Sequence, residues 1–506
     1  MSIQTLSRFY GVVVFLASAL LLVLEIVAGR LLAPYIGVSL YTWTSIIGVI
    51  LAGLSLGHWI GGKLADRGAG HLTAGIVLLA CSATTLCVLP LLLLVGGVIQ
   101  NSGLGLLSAS FYYVLALFFT PAAAIGILSP LLTTLALGID GRTGSVVGRM
   151  HALSAVGSIT GTFITGYWLV QWIGTRAIVV SVAILFFLMA IPFLVRQRRG
   201  GATLWIALGI VCTLTLFTHW RDGFTSPCDV ESSYYCLRAV DETSTSGVVH
   251  ARSMIIDHMM HSTNSRNDPA LIWTPYAQAM DTLIESRFEQ PGKLTYLFGG
   301  GGAYTLPRAL RHKYPEASIT VSEIDPAVTA MARSHLFLET TDLEILHGDL
   351  RYALRSGDAD RYDVVVTDVF HDIGIPWHLT TREFNRLVAR ALKPGGIYLM
   401  NVIDVFPENR LLQSVVSTLQ IQFDHIGVWI ERPPDEETRL TFVIAASNQA
   451  MPGGQLSSRY GPQRTWFEIG DFVRSQAGQN EVPLLTDNYA PVERLLEKML
   501  VTHRGN

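Results

Sequence analysis

Charged side chains are scarce in this sequence. Asp, Glu, Lys and Arg make up 15% of its 506 residues, and the formal net charge is −3. The Lys and Arg residues form no long basic run, so the chain has no electrostatic footprint for nucleic acid. We therefore expect no nucleic-acid partner.

Cysteine is also rare, and the positions of the five cysteines predict no metal site. The sequence has no CxxC pair and no Cys/His cluster with zinc spacing. Cys228 and Cys236 follow the last long apolar run, whereas the other three lie within apolar segments. In an oxidising compartment these two would form a disulfide, and in the cytoplasm they would stay reduced. Their spacing leaves both states open.

Long apolar runs, by contrast, are abundant before residue 220. A helix needs about 20 apolar residues to cross the hydrocarbon core of a bilayer. We predict seven such helices, near residues 9–29, 41–61, 73–97, 108–137, 148–171, 176–195 and 202–219. The fourth contains Pro121 and Pro130, which predict a kinked or partly re-entrant helix. The sequence thus predicts a multi-pass protein of the cell inner membrane, with the lipid bilayer as a partner.

Small residues recur in the fifth run. Gly157, Gly161 and Gly166 would let neighbouring helices approach closely. They predict helix packing and carry no further function.

Basic residues in the connections between the runs predict an orientation. They fall in alternate connections, at Lys63, Arg67, Arg142, Arg149, Arg196, Arg198 and Arg199. The positive-inside rule places these connections in the cytoplasm. Seven spans would then carry the C-terminal half to the opposite face, so the side of the membrane depends on the number of spans and stays open.

From about residue 290, short β-branched runs alternate with amphipathic helical stretches, which is typical of βαβ units around a parallel sheet. The predicted strands are Leu294–Phe298, Ile319–Ile324, Leu343–Leu346, Tyr362–Thr367 and Gly396–Val402. The predicted helices cover about 303–313, 326–336, 380–393 and 407–422. Two later strands, near 425–431 and 438–446, flank the polar run ERPPDEETR and predict an antiparallel hairpin.

The predicted fold is therefore an α-helical transmembrane bundle joined to an α/β Rossmann-like domain of the class I methyltransferase type, with a small β subdomain at its N-terminal side. We predict four segments: the bundle at 1–220, the β subdomain and a helix at 229–290, the Rossmann-like nucleoside-binding domain at 291–450, and a C-terminal segment at 451–506 that contains LLTDNYAPVERL.

A run of glycines ends the first strand of the α/β region. The glycines, Gly299 to Gly302, precede a predicted helix. Such residues adopt positive φ freely and let a ligand contact bare backbone at the positive end of a helix. A tight turn without a ligand would explain the same run, so the glycines alone are a weak signal.

Acidic residues follow the next three strands. Glu323 lies about 20 residues after the glycines, where a carboxylate can accept hydrogen bonds from both ribose hydroxyls. Asp349 and Asp368 end the third and fourth strands, and ligands of open α/β sheets bind at this edge. These acids predict a nucleoside site in which Asp368 can take a proton from an amine. Helix capping by Glu323 and Asp349 is the alternative.

The order of ESSYY, YLFGGGGAY, SEID, HGD and YDVVVTD resembles that of the polyamine aminopropyltransferases, which include spermidine synthase. The similarity covers about residues 229–450, and EIVAGRLLAPYIG, GGKLADR and LLTDNYAPVERL resemble a membrane-fused branch of that family. The resemblance implies transfer of an aminopropyl group from decarboxylated S-adenosylmethionine to a small-molecule amine such as putrescine, without a metal. Soluble members commonly form dimers or tetramers, so it also implies that a homo-oligomer can form.

The resemblance assigns roles to single residues. Glu323 matches the acid at the ribose, Asp349 the acid at the adenine, and Asp368 the catalytic proton acceptor. The remaining expected donor-site residues are Gly300, Gly301, Gly302 and Leu350. The expected amine-site residues are Tyr235, Tyr276, His371, Asp372 and Asp487.

The sequence departs from the family pattern mainly at the amine site. Ala303 stands where soluble enzymes carry an Asp in the glycine loop, and His371 falls at the second acid of the DxxD pattern, with Asp372 one place late. Tyr235 replaces a Gln, and the YQE segment reads Tyr-Ala-Gln at 276–278. The donor site is thus better preserved than the acceptor site.

Two other functions remain open. The first is an S-adenosylmethionine-dependent methyltransferase, which would need a cationic or amide partner for the donor's carboxylate. Arg308 is the only nearby candidate for that partner. The second is a non-catalytic membrane protein that binds a nucleoside or polyamine and is associated with transport.

Overall fold

The computed structural model describes residues 3–100, 102–195, 197, 200–242, 250–339, 342–370, 374–432 and 437–501. Contacts divide the chain into two compact units, residues 1–233 and 234–506. The finer division into four segments stays a prediction.

The first unit is a bundle of apolar helices. The helices are α1 (Ile3–Ile36), α2 (Leu40–Asp66), α3 (His71–Gln100), α4 (Leu106–Gly126), α5 (Leu128–Leu137), α6 (Thr143–Ile164), α7 (Val170–Ile173), α8 (Thr175–Leu194) and α9 (Gly200–Trp220). A π-helical turn at Thr165–Leu169 joins α6 to α7. Within the described residues, seven segments are long and apolar enough to cross a membrane, with α4–α5 and α6–α7 each forming one segment. The number equals the seven spans that the sequence predicts.

The fourth segment is a kinked helix. α4 ends at Gly126 and α5 begins at Leu128, while Ile127 between them keeps helical angles of φ −61° and ψ −30°. Pro130 has no N–H to donate to the carbonyl of Gly126, four residues earlier, and its ring crowds that carbonyl. The helix is interrupted at Ile127 but continues to Leu137 as one segment, which does not match a re-entrant helix.

Glycines bring α6 into backbone contact with α1. A Cβ at Gly157 or Gly161 would lie 2.2 Å from the carbonyl oxygen of Phe15 or Ala19, respectively. Side chains larger than hydrogen would therefore force the two helices apart. The prediction of close packing is confirmed at these two positions, but a Cβ at Gly166 would meet nothing within 4 Å.

A second glycine face lies on α2 and packs against α4 and its junction with α5. Added Cβ atoms there would lie 2.7, 2.1 and 2.5 Å from backbone carbonyl oxygens, at Gly53, Gly57 and Gly61. Four-residue spacing puts the three glycines on one face of the helix. The closest approach is that of Gly57 to the carbonyl of Ala123.

The second unit begins with a small antiparallel sheet. After β1 (Val230–Glu231) at the end of the first unit come β2 (Cys236–Glu242), β3 (Ala251–Ile256) and β4 (Met259–Ser265). β3 pairs with both β2 and β4. Helix α10 (Pro275–Arg287) follows these strands, close to the helix that the sequence predicts.

The rest of the unit is built on a nine-stranded sheet in the order β12-β13-β10-β11-β9-β8-β5-β6-β7. Its strands are β5 (Thr295–Gly299), β6 (Ser318–Glu323), β7 (Glu344–His347), β8 (Tyr362–Thr367), β9 (Leu392–Phe406), β10 (His425–Ile430), β11 (Thr438–Ser447), β12 (Gln455–Ser457) and β13 (Thr465–Glu468). Its helices are α11 (Thr305–Lys313), α12 (Pro326–His335), α13 (Leu350–Ser356), α14 (Arg382–Ala391), α15 (Arg410–Leu419), α16 (Gly470–Asn480), α17 (Val492–Leu495) and α18 (Glu497–Val501). Short 3₁₀ turns occur at Pro291–Lys293 and Trp377–Leu379.

The strand order places a ligand crevice at the middle of this sheet. The chain runs outward from β5 through β6 to β7, and then returns to the other side of β5 to form β8 and β9. All these neighbours are parallel, so the order reverses between β5 and β8. Open α/β sheets bind ligands at such a switch point. β11 lies antiparallel between β9 and β10, which completes the predicted class I methyltransferase arrangement.

Helices cover both faces of the sheet, as buried parallel strands require. On β8, Val364 and Val366 pack on the face that α10, α11 and α12 cover. Val365 points the other way, into the cluster formed with α14 and α15.

Several elements of the second unit were not predicted from the sequence. The short helix α13 begins directly after Asp349, and β12, β13 and α16 lie in the segment that the sequence left without structure. Strands of three and four residues are too short to show an alternating pattern. Trp466 of β13 is nevertheless 2% exposed, so this segment adds to the core. Residues 433–436 of the predicted hairpin turn lie outside the described residues.

We expect Gly57→Ala to destabilise the bundle. The new methyl group would meet the Ala123 carbonyl, and overpacking of this kind costs about 1–3 kcal/mol. The matched control is Gly62→Ala, because a Cβ there meets nothing within 4 Å. Thermal unfolding of both variants in the same detergent should show a lower midpoint for Gly57→Ala only, and equal midpoints would contradict the close approach.

Candidate functional site

A cavity of about 290 Å³ opens at the carboxyl ends of the central strands. The loops after β5, β6, β7 and β8 form much of its wall, and the small sheet contributes residues from β3 and β4. The residues expected from the sequence that line this cavity are Tyr235, Gly300, Gly302, Glu323, Asp349, Leu350 and Asp368. Folding thus brings seven of the twelve expected site residues to one surface.

The glycine loop has a conformation that only glycine adopts easily. Gly300 has φ +88° and Gly302 has φ +49°. A Cβ at Gly300 would also lie 2.0 Å from the backbone oxygen of Asp368. Gly301 is held in place because its N–H donates a 2.6 Å hydrogen bond to Oε2 of Glu323. The bare backbone of this loop therefore faces the cavity.

Glu323 is a buried carboxylate, 5% exposed, at the end of β6. Its Oε2 accepts from Gly301, and its Oε1 accepts a 2.9 Å hydrogen bond from the N–H of Asp325. Burial raises the pKa of Glu323, although these backbone N–H groups oppose the shift. Asp325, not Glu323, caps α12, so the capping alternative fails at Glu323. Each oxygen keeps a lone pair with which to accept from a ribose hydroxyl.

Asp349 both caps a helix and lines the cavity. Its Oδ1 accepts a 3.1 Å hydrogen bond from the N–H of Tyr352 in the first turn of α13. Its Oδ2 lies 2.9 Å from Nε2 of His378. His378 also lines the cavity, yet the sequence analysis missed it because a single histidine in an irregular loop carries no motif.

Asp368 is oriented by two donors. The hydroxyl of Tyr276 donates to Oδ2 at 2.8 Å, and Nδ2 of Asn401 donates to Oδ1 at 2.9 Å. Burial raises the pKa of Tyr276 well above its ordinary value, and the neighbouring Asp368 adds to the shift, so the hydroxyl remains a donor. Asn401 is 3% exposed on β9 and was missed, because the sequence shows it only as one residue within a strand.

A smaller cavity of about 20 Å³ adjoins the first at Asp368. Tyr276, Gly301 and Ala303 line it. Ala303 is 2% exposed and its carbonyl accepts a 2.7 Å hydrogen bond from Asn264, so this position contributes packing and no carboxylate. Tyr276 and Gly301 are thus two further expected residues that lie beside Asp368.

Asp487 supports the site from outside the cavity. Its Oδ1 accepts a 2.8 Å hydrogen bond from Nη1 of Arg351, and the same nitrogen donates to the carbonyl of His378 at 3.0 Å. Asp487 thereby helps to fix the loop that carries His378. Its expected role in substrate binding stays a prediction.

Two expected amine-site residues, His371 and Asp372, lie outside the described residues. Among the residues that the structure does describe, no group of three His, Cys, Asp or Glu side chains could hold a metal ion.

Carboxylates give the main cavity its charge. Glu323, Asp349 and Asp368 line it, and no Lys or Arg does so in the described part of the chain. Arg308 is 4% exposed and uses Nε and Nη2 on the backbone carbonyls of Phe337 and Ser265. It lines a different cavity, so it is not the partner that a donor carboxylate would need. The cavity therefore suits a cationic ligand.

A glycine loop, a buried acid after the second strand and a carboxylate-lined crevice lie at the switch point of a class I methyltransferase fold, an arrangement typical of nucleoside-binding proteins. Residues 290–450 match the family model described as the spermine/spermidine synthase domain. A polyamine aminopropyltransferase of Vibrio vulnificus (strain CMCP6) is 32% identical over 233 residues, which are 44% of this chain and 76% of that protein. The chain belongs to the polyamine aminopropyltransferase family.

Other relatives match more distantly. A probable polyamine aminopropyl transferase of Bifidobacterium longum (strain NCC 2705) is 28% identical over 204 residues, and the match spans 40% of this chain but 42% of that protein. The crystal structure of a probable spermidine synthase from Corynebacterium glutamicum ATCC 13032 superposes with a TM-score of 0.45 at 21% identity, covering 53% of this chain and 99% of that one.

We expect the affinity for adenosine to fall as the pH is lowered from about 8 to about 4, close to the ordinary pKa of a glutamate. As the expected ribose ligand, Glu323 would accept from the hydroxyls in its carboxylate form, and its raised pKa makes that form disappear at a higher pH than the ordinary value of about 4.3 would allow. Calorimetric titrations across this range would measure the effect, with Glu323→Gln as a variant that should bind weakly at every pH. A flat affinity profile for the unaltered protein would argue against Glu323 as the ribose ligand.

Proposed function

We propose that the protein transfers an aminopropyl group from decarboxylated S-adenosylmethionine to a small primary amine such as putrescine. The charge of the main cavity carries this proposal. Decarboxylated S-adenosylmethionine has a sulfonium and an ammonium group but no carboxylate, so it matches a wall that presents three acids. The carboxylate of S-adenosylmethionine would enter the same wall without a described Lys or Arg to pair with it. The methyltransferase alternative is therefore less well supported.

Different residues around the cavity would bind different parts of the donor. Glu323 would accept from the ribose hydroxyls, and the glycine loop that it holds would lie against the nucleoside. Asp349 would contact the adenine, with His378 limiting the orientation of its carboxylate. Leu350 adds an apolar surface, since it lines the cavity and is 3% exposed.

Asp368 is the expected general base. An ammonium ion must lose a proton before its nitrogen can attack, and a carboxylate beside the reacting centre can accept that proton. The amine nitrogen then attacks the methylene next to the sulfonium: the new C–N bond forms, the C–S bond breaks, and its electron pair stays on sulfur in methylthioadenosine. Tyr276 and Asn401 fix the direction of Asp368, so much of the rate enhancement would come from positioning.

We expect the purified full-length protein to use decarboxylated S-adenosylmethionine and to leave S-adenosylmethionine unused when putrescine is the acceptor. Asp368→Asn should lower the rate by about 10²–10⁴-fold, as the loss of a general base does, while its affinity for adenosine changes little. Production of methylthioadenosine would be measured for both donors, and adenosine binding by calorimetry.

The three functions give different outcomes in this assay. Methyl transfer from S-adenosylmethionine would favour the methyltransferase, and adenosine binding without turnover of either donor would favour the non-catalytic protein. Unchanged product formation by Asp368→Asn would remove the assigned base.

We also propose that the C-terminal unit faces the extracytoplasmic side of the cell inner membrane. The connections at 67–70, 138–142 and 195–199 carry the basic residues, whereas those at 37–39, 101–105 and 174 carry none. With seven spans, the positive-inside rule then puts the end of α9 outside the cytoplasm. A disulfide between Cys228 and Cys236 would agree with the same side, because disulfides persist in oxidising compartments.

Contacts within the first unit support an odd number of crossings. The N–H of Thr175, at the start of α8, donates a 2.8 Å hydrogen bond to Glu231, and Arg30 near the end of α1 donates to the carbonyl of Ser232. The end of α1, the start of α8 and the segment after α9 therefore lie at one face of the bundle. Seven crossings bring these three points to the same side.

An alkaline phosphatase fused after Asn506 should be active in cells, because that reporter needs an oxidising compartment. In the same membranes, Cys228 and Cys236 should react with a maleimide only after reduction, and a Cys228→Ser/Cys236→Ser double variant should lose that difference. An inactive phosphatase together with thiols that react without reductant would place the unit in the cytoplasm instead.

A further inference from the structure

A separate cavity of about 270 Å³ lies against α11, between the segments that follow β4 and α12. Its wall carries Arg266, Arg308, Arg311 and His312, and a single carboxylate, that of Glu339. None of these residues lines the nucleoside cavity. Neither the family resemblance nor the proposed transfer reaction gives this basic concavity a role.

The arginines in this wall are paired with neutral groups. Arg308 uses two nitrogens on the carbonyls of Phe337 and Ser265, and its Nη1 has no hydrogen-bond partner among the described residues. Arg311 donates from Nη2 to the carbonyl of Asp342 at 3.0 Å, and its buried Nε has no partner in the described structure.

The third arginine has an aromatic neighbour. The guanidinium of Arg266 lies 5.8 Å from the centre of the Phe337 ring, an arrangement that leaves its N–H groups able to donate. Within the described ranges, no ion pair joins Arg266, Arg308 or Arg311 to a carboxylate. Their charges are thus not cancelled pairwise.

Nearby acids only partly offset this charge. Asp268 acts on Arg308 electrostatically, but its Oδ2 already accepts a 2.6 Å hydrogen bond from the hydroxyl of Tyr460. Its Oδ1 accepts from the N–H of Ala270. Glu339 is exposed, so water screens its charge. Three guanidinium groups therefore face one cavity with little direct neutralisation.

We propose that this cavity binds the phosphate group of a small soluble molecule. Guanidinium groups match the geometry of phosphate oxygens and donate two parallel hydrogen bonds to them. Arg308 supplies its free Nη1 from a buried side chain that two backbone carbonyls hold, and Arg266 supplies an exposed guanidinium group. A volume of about 270 Å³ holds a phosphate or pyrophosphate group with part of the molecule that carries it. The three arginines and the one carboxylate of the wall together carry a charge of about +2, which a phosphate dianion would balance.

Calorimetric titration of the full-length protein with pyrophosphate, and with inorganic phosphate, would test this site at constant ionic strength. Arg266→Gln and Arg311→Gln should each weaken binding by at least tenfold. Arg386→Gln is the matched control, because Arg386 is exposed on α14 and lines neither cavity. Arg266 is itself exposed and holds no described backbone carbonyl through its side chain, so its variant tests the site even if Arg311→Gln fails to fold.

Two results of the titration would overturn the proposal. One is heat of binding no larger than that of sodium chloride at the same ionic strength, and the other is an equal loss in all three variants. Flotation with vesicles of phosphatidic acid and phosphatidylcholine separates the sources of phosphate. Binding to phosphatidic acid vesicles without any binding of pyrophosphate would assign the site to a lipid headgroup and reject a soluble ligand.

Discussion

The site depends on the hydrogen bonds that the buried carboxylate of Glu323 accepts from the backbone. Desolvation disfavours its charge, and the N–H groups of Gly301 and Asp325 compensate for part of that cost. The same two hydrogen bonds fix the glycine loop after β5 to the turn after β6. Burying this carboxylate costs free energy, but its hydrogen bonds hold the two loops in fixed positions. The main cavity lies between these loops.

Much of the second unit could be predicted from the sequence because its signals are local. β-branched runs predict the central strands. The glycines and acids directly after these runs predict which residues lie at the carboxyl edge of the sheet. The fixing of Asp368 by Tyr276 and Asn401 could not be predicted, since residues 92 and 33 positions away in the chain meet only after folding. His378 was missed for the same reason, and β12 and β13 were too short to leave a pattern.

The first unit was predictable in a different respect. Hydropathy predicts seven apolar segments of the length that a bilayer requires, and the described residues form seven helical segments of that length. Packing is less visible: the glycines of α6 were recognised, whereas those of α2 acquire meaning only from the carbonyls that they meet. Backbone contacts at Gly57 and Gly157 tie α2 and α6 to their neighbours more closely than any apolar side chain would allow.

The link from Asp487 through Arg351 to the loop of His378 makes the end of the chain part of the site without touching the cavity. Shortening the protein before residue 487 would remove no cavity wall, yet it would release the histidine that orients Asp349. The same cut would also remove Val492, Leu495 and Leu496 from the core, so the C-terminal residues contribute both to packing and to the support of this loop. A functional fragment of this protein therefore has to include Asp487 as well as the sheet.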